Sequence, residues 1–424
     1  MQPKNATAMK NRIIVLSVLL CAAIHCGAQH KFTIGGYGEA VYSYNFYSDS
    51  PRRFLDPATY SYDKVGGYGR FDLPHVVIMM GYDFGRGWSM GTEIEFEHGG
   101  VEAAIELEDD EAIEIEQEIE RGGEVALEQF WLQKSFCPEA NIMAGMLIVP
   151  MGLTNGHHLP TEFFTVYRAE GENTIMPCTW HQIGVSFWGR TAHWRYEAML
   201  LPGLNNRMFK NSTWIKTGAA SAYEYTVGNE FAGVLRVDNY SVPGLRMGLS
   251  AYLGGTDNDA YPTSNRTALK GLLCIGSFDF EYKGYNVVAR GNFDYGHLGN
   301  ADGISSRNRS NSRKFLPSTY VGMAALAGGI EAGYDVFSLL PKRPADMKLY
   351  LFGRYEYYDC YVPPTDTATK YNWSDRNRVA FGINYYPIKD IVIKAEYSHR
   401  FYKAPYNNEP SFNIGIAYSG FFKR

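Results

Sequence analysis

An all-β fold, a closed antiparallel transmembrane barrel of about sixteen strands, is what this sequence predicts. Three observations lead there. The chain opens on a secretory leader, it continues in long runs of alternating polarity, and it is rich in aromatics (32 Tyr, 24 Phe) although its mean hydropathy is only −0.27. A barrel in lipid reconciles the last two, because only alternate residues meet hydrocarbon while aromatic girdles mark both interfaces.

The leader comes first. Lys10 and Arg12 precede the apolar run "IIVLSVLLCAAI" at 13–24, too short to span a bilayer but suited to a signal-peptide core, and small residues allow cleavage after Ala28. The expected organisation is therefore a signal peptide at 1–28 and one barrel domain at 29–424. Loss of the leader leaves 37 basic against 45 acidic residues, a net charge of −8. No basic patch points to nucleic acid. Four cysteines remain, far apart and without a C-x-x-C pair, so neither a disulfide framework nor a zinc motif is indicated.

The strands follow from the turns. Short turn signals stand around Gly85, Pro138, Gly189, Pro243, Lys283-Gly284, Pro341 and Pro387, each between patterned runs. Seven hairpins plus a run at each end, 32–44 and 411–422, give sixteen strands, with fourteen and eighteen as the neighbouring even counts. In "HWRYEAML", Trp194, Tyr196, Ala198 and Leu200 alternate with His193, Arg195 and Glu197; "KLYLFGRYEYY" and "DIVIKAEYSHR" repeat the dyad. Alternation sustained over about ten residues suits a tilted membrane strand and exceeds the usual sandwich strand. The acidic stretch "EAIEIEQEIE" at 111–120 also alternates, with Glu114, Glu116, Glu118 and Glu120 opposite Ile113, Ile115 and Ile119. It is expected to extend the fourth strand beyond the bilayer.

Parity then selects the inward side chains. Glu93, Glu95 and Glu97 on strand three, with Glu124 and Glu128 on strand four, form an acidic wall; Arg195, Arg236, Arg246, Arg290, Arg354, Arg378, Lys394 and Arg400 line the other strands. Two readings stay open: a transverse field across a water path, or charges that pair and brace the wall. No catalytic motif occurs. His157, His158 and Glu162 on the third long loop offer a weak transition-metal set, and 106–120 a loose calcium site, but no metal and no cofactor is expected.

The third long loop reads "VPMGLTNGHHLPTEFFTVYRAEGENTIMPCTWHQIGVSFWG", with a Pro-Thr-Glu-Phe-Phe stretch, an arginine close to a glutamate, and an Ile-Met-Pro-Cys-Thr-Trp entry into the next strand. This segment, with "EIEFEHGG" at 93–100 and "GGEVALEQFW" at 122–131, resembles bacterial outer-membrane porins of the phosphate-selective O and P type, particularly their Bacteroidetes relatives. The resemblance implies a sixteen-stranded barrel in the outer membrane, a third loop folded inward to narrow the channel, and a trimer. It makes His157, His158, Arg168 and Glu170 the constriction residues, and passive diffusion of small hydrophilic solutes or ions the expected activity. Phosphate does not follow, because the inward basic residues share the interior with many carboxylates. The rival expectation is a barrel plugged by its loops and serving adhesion or binding; an outer-membrane hydrolase ranks behind it for want of a nucleophile–base pair.

Overall fold

The computed structural model describes residues 31–423, apart from 49, 55, 61, 99–103, 110–114, 121–123, 221–224, 259–268, 311–318, 343–345 and 366–367. The expected leader at 1–28 lies outside the described residues. Sixteen strands make one closed antiparallel sheet: β1 (Phe32–Asn45), β2 (Tyr68–Asp72 and His75–Gly85), β3 (Trp88–Glu97), β4 (Glu124–Cys137), β5 (Ala140–Ile148), β6 (His181–Arg190), β7 (Trp194–Pro202), β8 (Phe231–Val242), β9 (Leu245–Gly255), β10 (Leu272–Gly284), β11 (Val287–Leu298), β12 (Ala324–Asp335), β13 (Lys348–Val362), β14 (Asp375–Ile388), β15 (Ile391–Tyr402) and β16 (Glu409–Lys423). Each pairs with its sequence neighbours, and β1 closes the ring on β16, with Tyr37 opposite Ser419 and Ser43 opposite Asn413. Closure leaves no sheet edge, the condition for backbone polar groups to survive in hydrocarbon.

The expected turns fall where the breakers stand, with small shifts. At the fifth hairpin the turn is Tyr285–Asn286, two residues beyond the expected Lys283-Gly284, and both residues have positive φ (52° and 62°). Two such residues match the right-handed twist of the strands they join. Strand β2 is broken at Leu73–Pro74, where proline has no N–H to give the ladder, and its two pieces pair with opposite ends of β1. The acidic stretch departs from expectation. Ile115–Glu120 pairs with Ala104–Asp109 as a separate two-stranded hairpin, placing Glu116 opposite Glu108 and Glu118 opposite Glu106, rather than lengthening β4, which begins at Glu124.

Alternation sorts the side chains. Leu200, Leu235, Leu249, Ile330, Leu351, Phe381 and Ile416 lie exposed on the outer face, whereas Glu197, Arg236, Ser250, Arg354 and Lys394 on the alternate positions are buried. Phe84, Trp88, Phe136, Trp194 and Tyr285 are exposed beside the short turns, where an interfacial aromatic belt belongs. The inner face is not polar throughout. Between β6 and β13 an apolar cluster gathers Met199, Val234, Tyr252, Leu273, Ile275 and Tyr358 from the strands with Met151, Trp180, Phe209, Trp214 and Ile304 from the long loops. Those loops bury apolar side chains against the wall, which removes them from water and fixes the loops in place.

Candidate functional site

The long segment 149–180 leaves β5 and enters β6, yet its polar contacts reach β13–β15, up to eight strands away around the ring of sixteen. Lys394 donates to the carbonyls of Phe163 (2.9 Å) and Thr165 (2.8 Å), and Glu396 accepts from Val166 N (2.9 Å). Tyr386 donates to Thr161 O at 3.1 Å. Glu356 accepts from the backbone N–H of Glu170 (3.0 Å) and Gly171 (3.1 Å), the first residues of the short helix Glu170–Ile175. Those N–H groups have no intrahelical acceptor, so a carboxylate there satisfies both at once. Phe164 stacks on Phe352 with centroids 5.4 Å apart. On the near side Arg236 donates to Gly152 O at 2.9 Å.

Each basic side chain expected on the inner face faces a carboxylate or the loop, and Arg290, Arg354, Arg378 and Arg400 join one alternating chain. Arg290 bridges Glu281 (2.8 Å) and Glu331 (2.9 Å), and Arg354 bridges Glu331 and Glu356 (both 3.2 Å). Arg378 continues to Glu356 (2.8 Å) and Glu396 (3.4 Å). Arg400 holds Glu170 (2.6 Å) and, beyond it, Glu409. A second knot joins Arg236 and Arg246 to Asp238 and Asp279, with Arg246 to Asp279 at 2.5 Å; Arg195 pairs with Glu197 (2.5 Å). The geometry favours bracing over a one-sided basic wall. The missing negative charge comes from Asp238, Asp279, Glu281, Glu331, Glu356, Glu396 and Glu409, none of which belongs to the expected acidic wall. Their signal was available, since each has the same parity as the arginine across from it.

The glutamates expected on strands three and four have other partners. Glu95 meets His75 Nδ1 at 2.5 Å, and His75 Nε2 lies 4.0 Å from Glu39. Glu124 opens β4, and its side chain lies outside the described residues. Glu93 pairs in register with Gln129 and Ile94 with Leu127, so Glu128 is the extra residue of a β-bulge. It is fully buried, and Tyr37 donates to its Oε2 at 3.0 Å.

The loop residues singled out by sequence separate. Glu170 joins the arginine ladder, whereas Arg168 donates to Thr179 Oγ1 at 3.0 Å and has no partner at Nε or Nη2. His157 Nδ1 stands 4.0 Å from Glu162, but His158 Nε2 stands 4.0 Å from Glu93, so the adjacent histidines diverge and the weak His157–His158–Glu162 set does not come together. Burial lowers the pKa of both: His157 to about 4, and His158 below its ordinary value. Buried Glu172 accepts from Thr154 N (3.0 Å) and Oγ1 (2.6 Å), and burial raises its pKa well above the usual carboxylate range. Among the described residues two groups have metal-ligand proximity: His75, Glu95 and Glu97, and Glu93, Glu128 and His158.

Open space remains beside the segment. A cavity of about 370 Å³ is bordered by Glu39, Arg70, Glu97, Arg168, Lys216 and Arg400, and another of about 410 Å³ by Glu162, Lys283, Arg290, Lys348, Tyr386 and Lys389.

No family model matches the chain. An uncharacterized protein of Aquifex aeolicus is 27% identical over 384 residues, covering 89% of this chain and 77% of that protein. Among solved structures, the anion-selective porin from Comamonas acidovorans superposes with a TM-score of 0.53 at 10% identity, covering 92% of this chain and all of that one. The outer membrane channel DcaP of Acinetobacter baumannii gives 0.53 at 10% identity over 93% and 99%. At such identities the likeness is one of fold, and it agrees with the closed antiparallel sixteen-strand barrel described above.

Proposed function

We propose that this chain is a bacterial outer-membrane porin, exported by its leader, through which small hydrophilic solutes and ions diffuse passively. The observation that carries the reading is the sorting of side chains on a closed barrel: an apolar exterior that water would disfavour, and a buried interior rich in charge. The barrel likeness to two outer-membrane channel proteins supports it. In this reading segment 149–180 is the constriction, with His157, His158, Arg168 and Glu170 on it, and the inward glutamates and arginines line the path. Solutes bypass the segment through the cavities on its flanks. No nucleophile is needed; the barrier is set by cross-section and by charges left uncompensated. Because most of the inward arginines are matched by carboxylates, the preference for one ion sign is small, and no preference for phosphate is proposed. A trimer is the assembly proposed from the resemblance in segment 149–180.

A plugged barrel is the second reading, favoured by the apolar loop cluster that fills the β6–β13 side. One measurement separates the two. Protein refolded in detergent and added to a planar bilayer in potassium chloride is expected to give discrete conductance steps with a reversal potential near zero under a salt gradient. Insertion without steps would leave the plugged reading standing.

A further inference from the structure

Three buried atoms converge where segment 149–180 meets the acidic wall, and every one of them is an acceptor. They are Glu93 Oε2, Glu128 Oε1 and His158 Nε2; they lie within 4.8 Å of one another and none has a hydrogen-bond partner. Three different parts of the chain supply them: β3, the bulge of β4, and the loop.

The histidine tautomer follows from its other nitrogen. His158 Nδ1 faces the carbonyl of Asn155 at 3.2 Å, so it is the nitrogen that donates, and Nε2 presents a lone pair. A ring held this way by a backbone carbonyl is the usual arrangement of a metal-ligating histidine. Glu128 is likewise held from behind, its Oε2 accepting from Tyr37 while Oε1 is left free. The bulge is the second independent sign. It removes Glu128 from the ladder and aims a fully buried carboxylate at Glu93 and His158, and bulges of this kind re-aim side chains at sites. Two carboxylate oxygens and a lone pair that face one another, all three atoms unpaired, call for a cation. Arg168 acts on both Glu128 and His158, but a single guanidinium offsets only one of the two carboxylate charges.

We infer that Glu93, Glu128 and His158 form a binding site for a divalent transition metal of the zinc type, with water in the remaining position. One nitrogen and two carboxylate oxygens are a donor set that such a borderline ion accepts. In tetrahedral zinc sites bonds of about 2.0–2.1 Å put ligand atoms about 3.3 Å apart. His158 Nε2 and Glu93 Oε2 are now 4.0 Å apart, so small side-chain rotations would close the site. A bound ion would clamp the loop to the wall of β3 and β4.

Refolded full-length protein, stripped with chelator, is titrated with Zn²⁺ by calorimetry and separately with Co²⁺, whose visible absorption reports coordination geometry. One tight equivalent per chain and intense tetrahedral Co²⁺ bands are expected. Affinity should fall about 100-fold or more in Glu128→Gln and His158→Gln, and about tenfold in Tyr37→Phe, which touches only the shell behind the ligand. Heat-modified gel mobility confirms that each variant is folded; should one fail, Glu93→Gln and the wild-type Co²⁺ spectrum still decide. Absence of a tight equivalent in the folded wild type, or an equivalent unchanged in folded Glu128→Gln and His158→Gln, overturns the assignment. Because the readout is metal on a folded barrel, it stands apart from whether the barrel conducts.

Discussion

Glu356→Gln tests whether the charge ladder pins the loop. Glu356 is 1% exposed and accepts four bonds: Arg354 (3.2 Å) and Arg378 (2.8 Å) from the wall, and the N–H groups of Glu170 and Gly171 from the loop. The amide keeps the shape but has one acceptor oxygen and no charge. Hydrogen bonds to charged groups contribute about 1.5–3 kcal/mol each and neutral ones about 0.5–1.5. Downgrading the two loop bonds by about 1 kcal/mol each shifts the docked loop by about 2 kcal/mol, roughly thirtyfold in population. Arg354 retains Glu331 and Arg378 retains Glu396, so the uncompensated-charge penalty of a fully broken buried pair is only partly incurred. Single-channel recording should therefore show added conductance noise or a larger open level, together with a lower unfolding temperature in micelles. Glu197→Gln, which loses bonds from Ser186 and Arg195 on the wall, should lower stability without the noise. Wild-type noise in a folded Glu356→Gln protein would refute the idea that these bonds hold the loop.

Acidification should loosen the same loop. His157 has its pKa lowered from 6.5 to about 4 by burial, so the native state resists a proton that the unfolded chain accepts; stability is intact above about pH 6.5 and declines toward pH 4 by up to about 1.4 kcal/mol per unit. Thermal melts of His157→Gln across that range should show a shallower slope than wild type, and equal slopes would exclude His157 as the source. Gly152→Ala should cost at least about 1 kcal/mol, since Gly152 has φ +71° and an added Cβ would meet Glu172 Oε1 at 1.6 Å; a melt matching wild type would contradict that. Leu235→Arg, on the exposed face of β8, should cost about 2–4 kcal/mol when refolding into vesicles is titrated with urea, if that face meets mid-bilayer hydrocarbon. A neutral result would mean that the face meets water.

Much of the barrel was legible because two local signals repeat along the chain. Breakers such as Pro138, Pro243 and the glycine at 85 mark the short turns, and the period of two marks the faces, so sixteen strands and their inward residues follow without knowing any contact. What sequence could not supply were the pairings. Val166 meets Glu396 across 230 residues and Glu170 meets Glu356 across 186; such contacts depend on the loop crossing between strands far apart in order, and no periodicity encodes that. The bulge at Glu128 leaves only a faint mark: one extra residue shifts the phase of the alternation, so that the exposed positions pass from Val125 and Leu127 to Phe130 and Leu132. The acidic hairpin was misplaced for a related reason: alternation establishes a strand but not its partner, and Ile115–Glu120 found Ala104–Asp109.

Pairing also changes which charges can matter to a passing ion. A side chain locked between two carboxylates, as Arg290 and Arg354 are, presents little net field, because each positive charge has a negative one within about 3 Å. Arg168 is different. It sits on the loop, borders the cavity shared with Arg70 and Lys216, and leaves Nε and Nη2 without partners. Facing it across that cavity are Glu39 and Glu97, on the wall that carries Glu93 and Glu128. In the proposed channel, the sign preference at this cavity is set by the balance of Arg168, Arg70, Lys216 and Arg400 against this acidic wall. A divalent ion held by Glu93, Glu128 and His158 would tilt that balance toward anions without touching a single arginine.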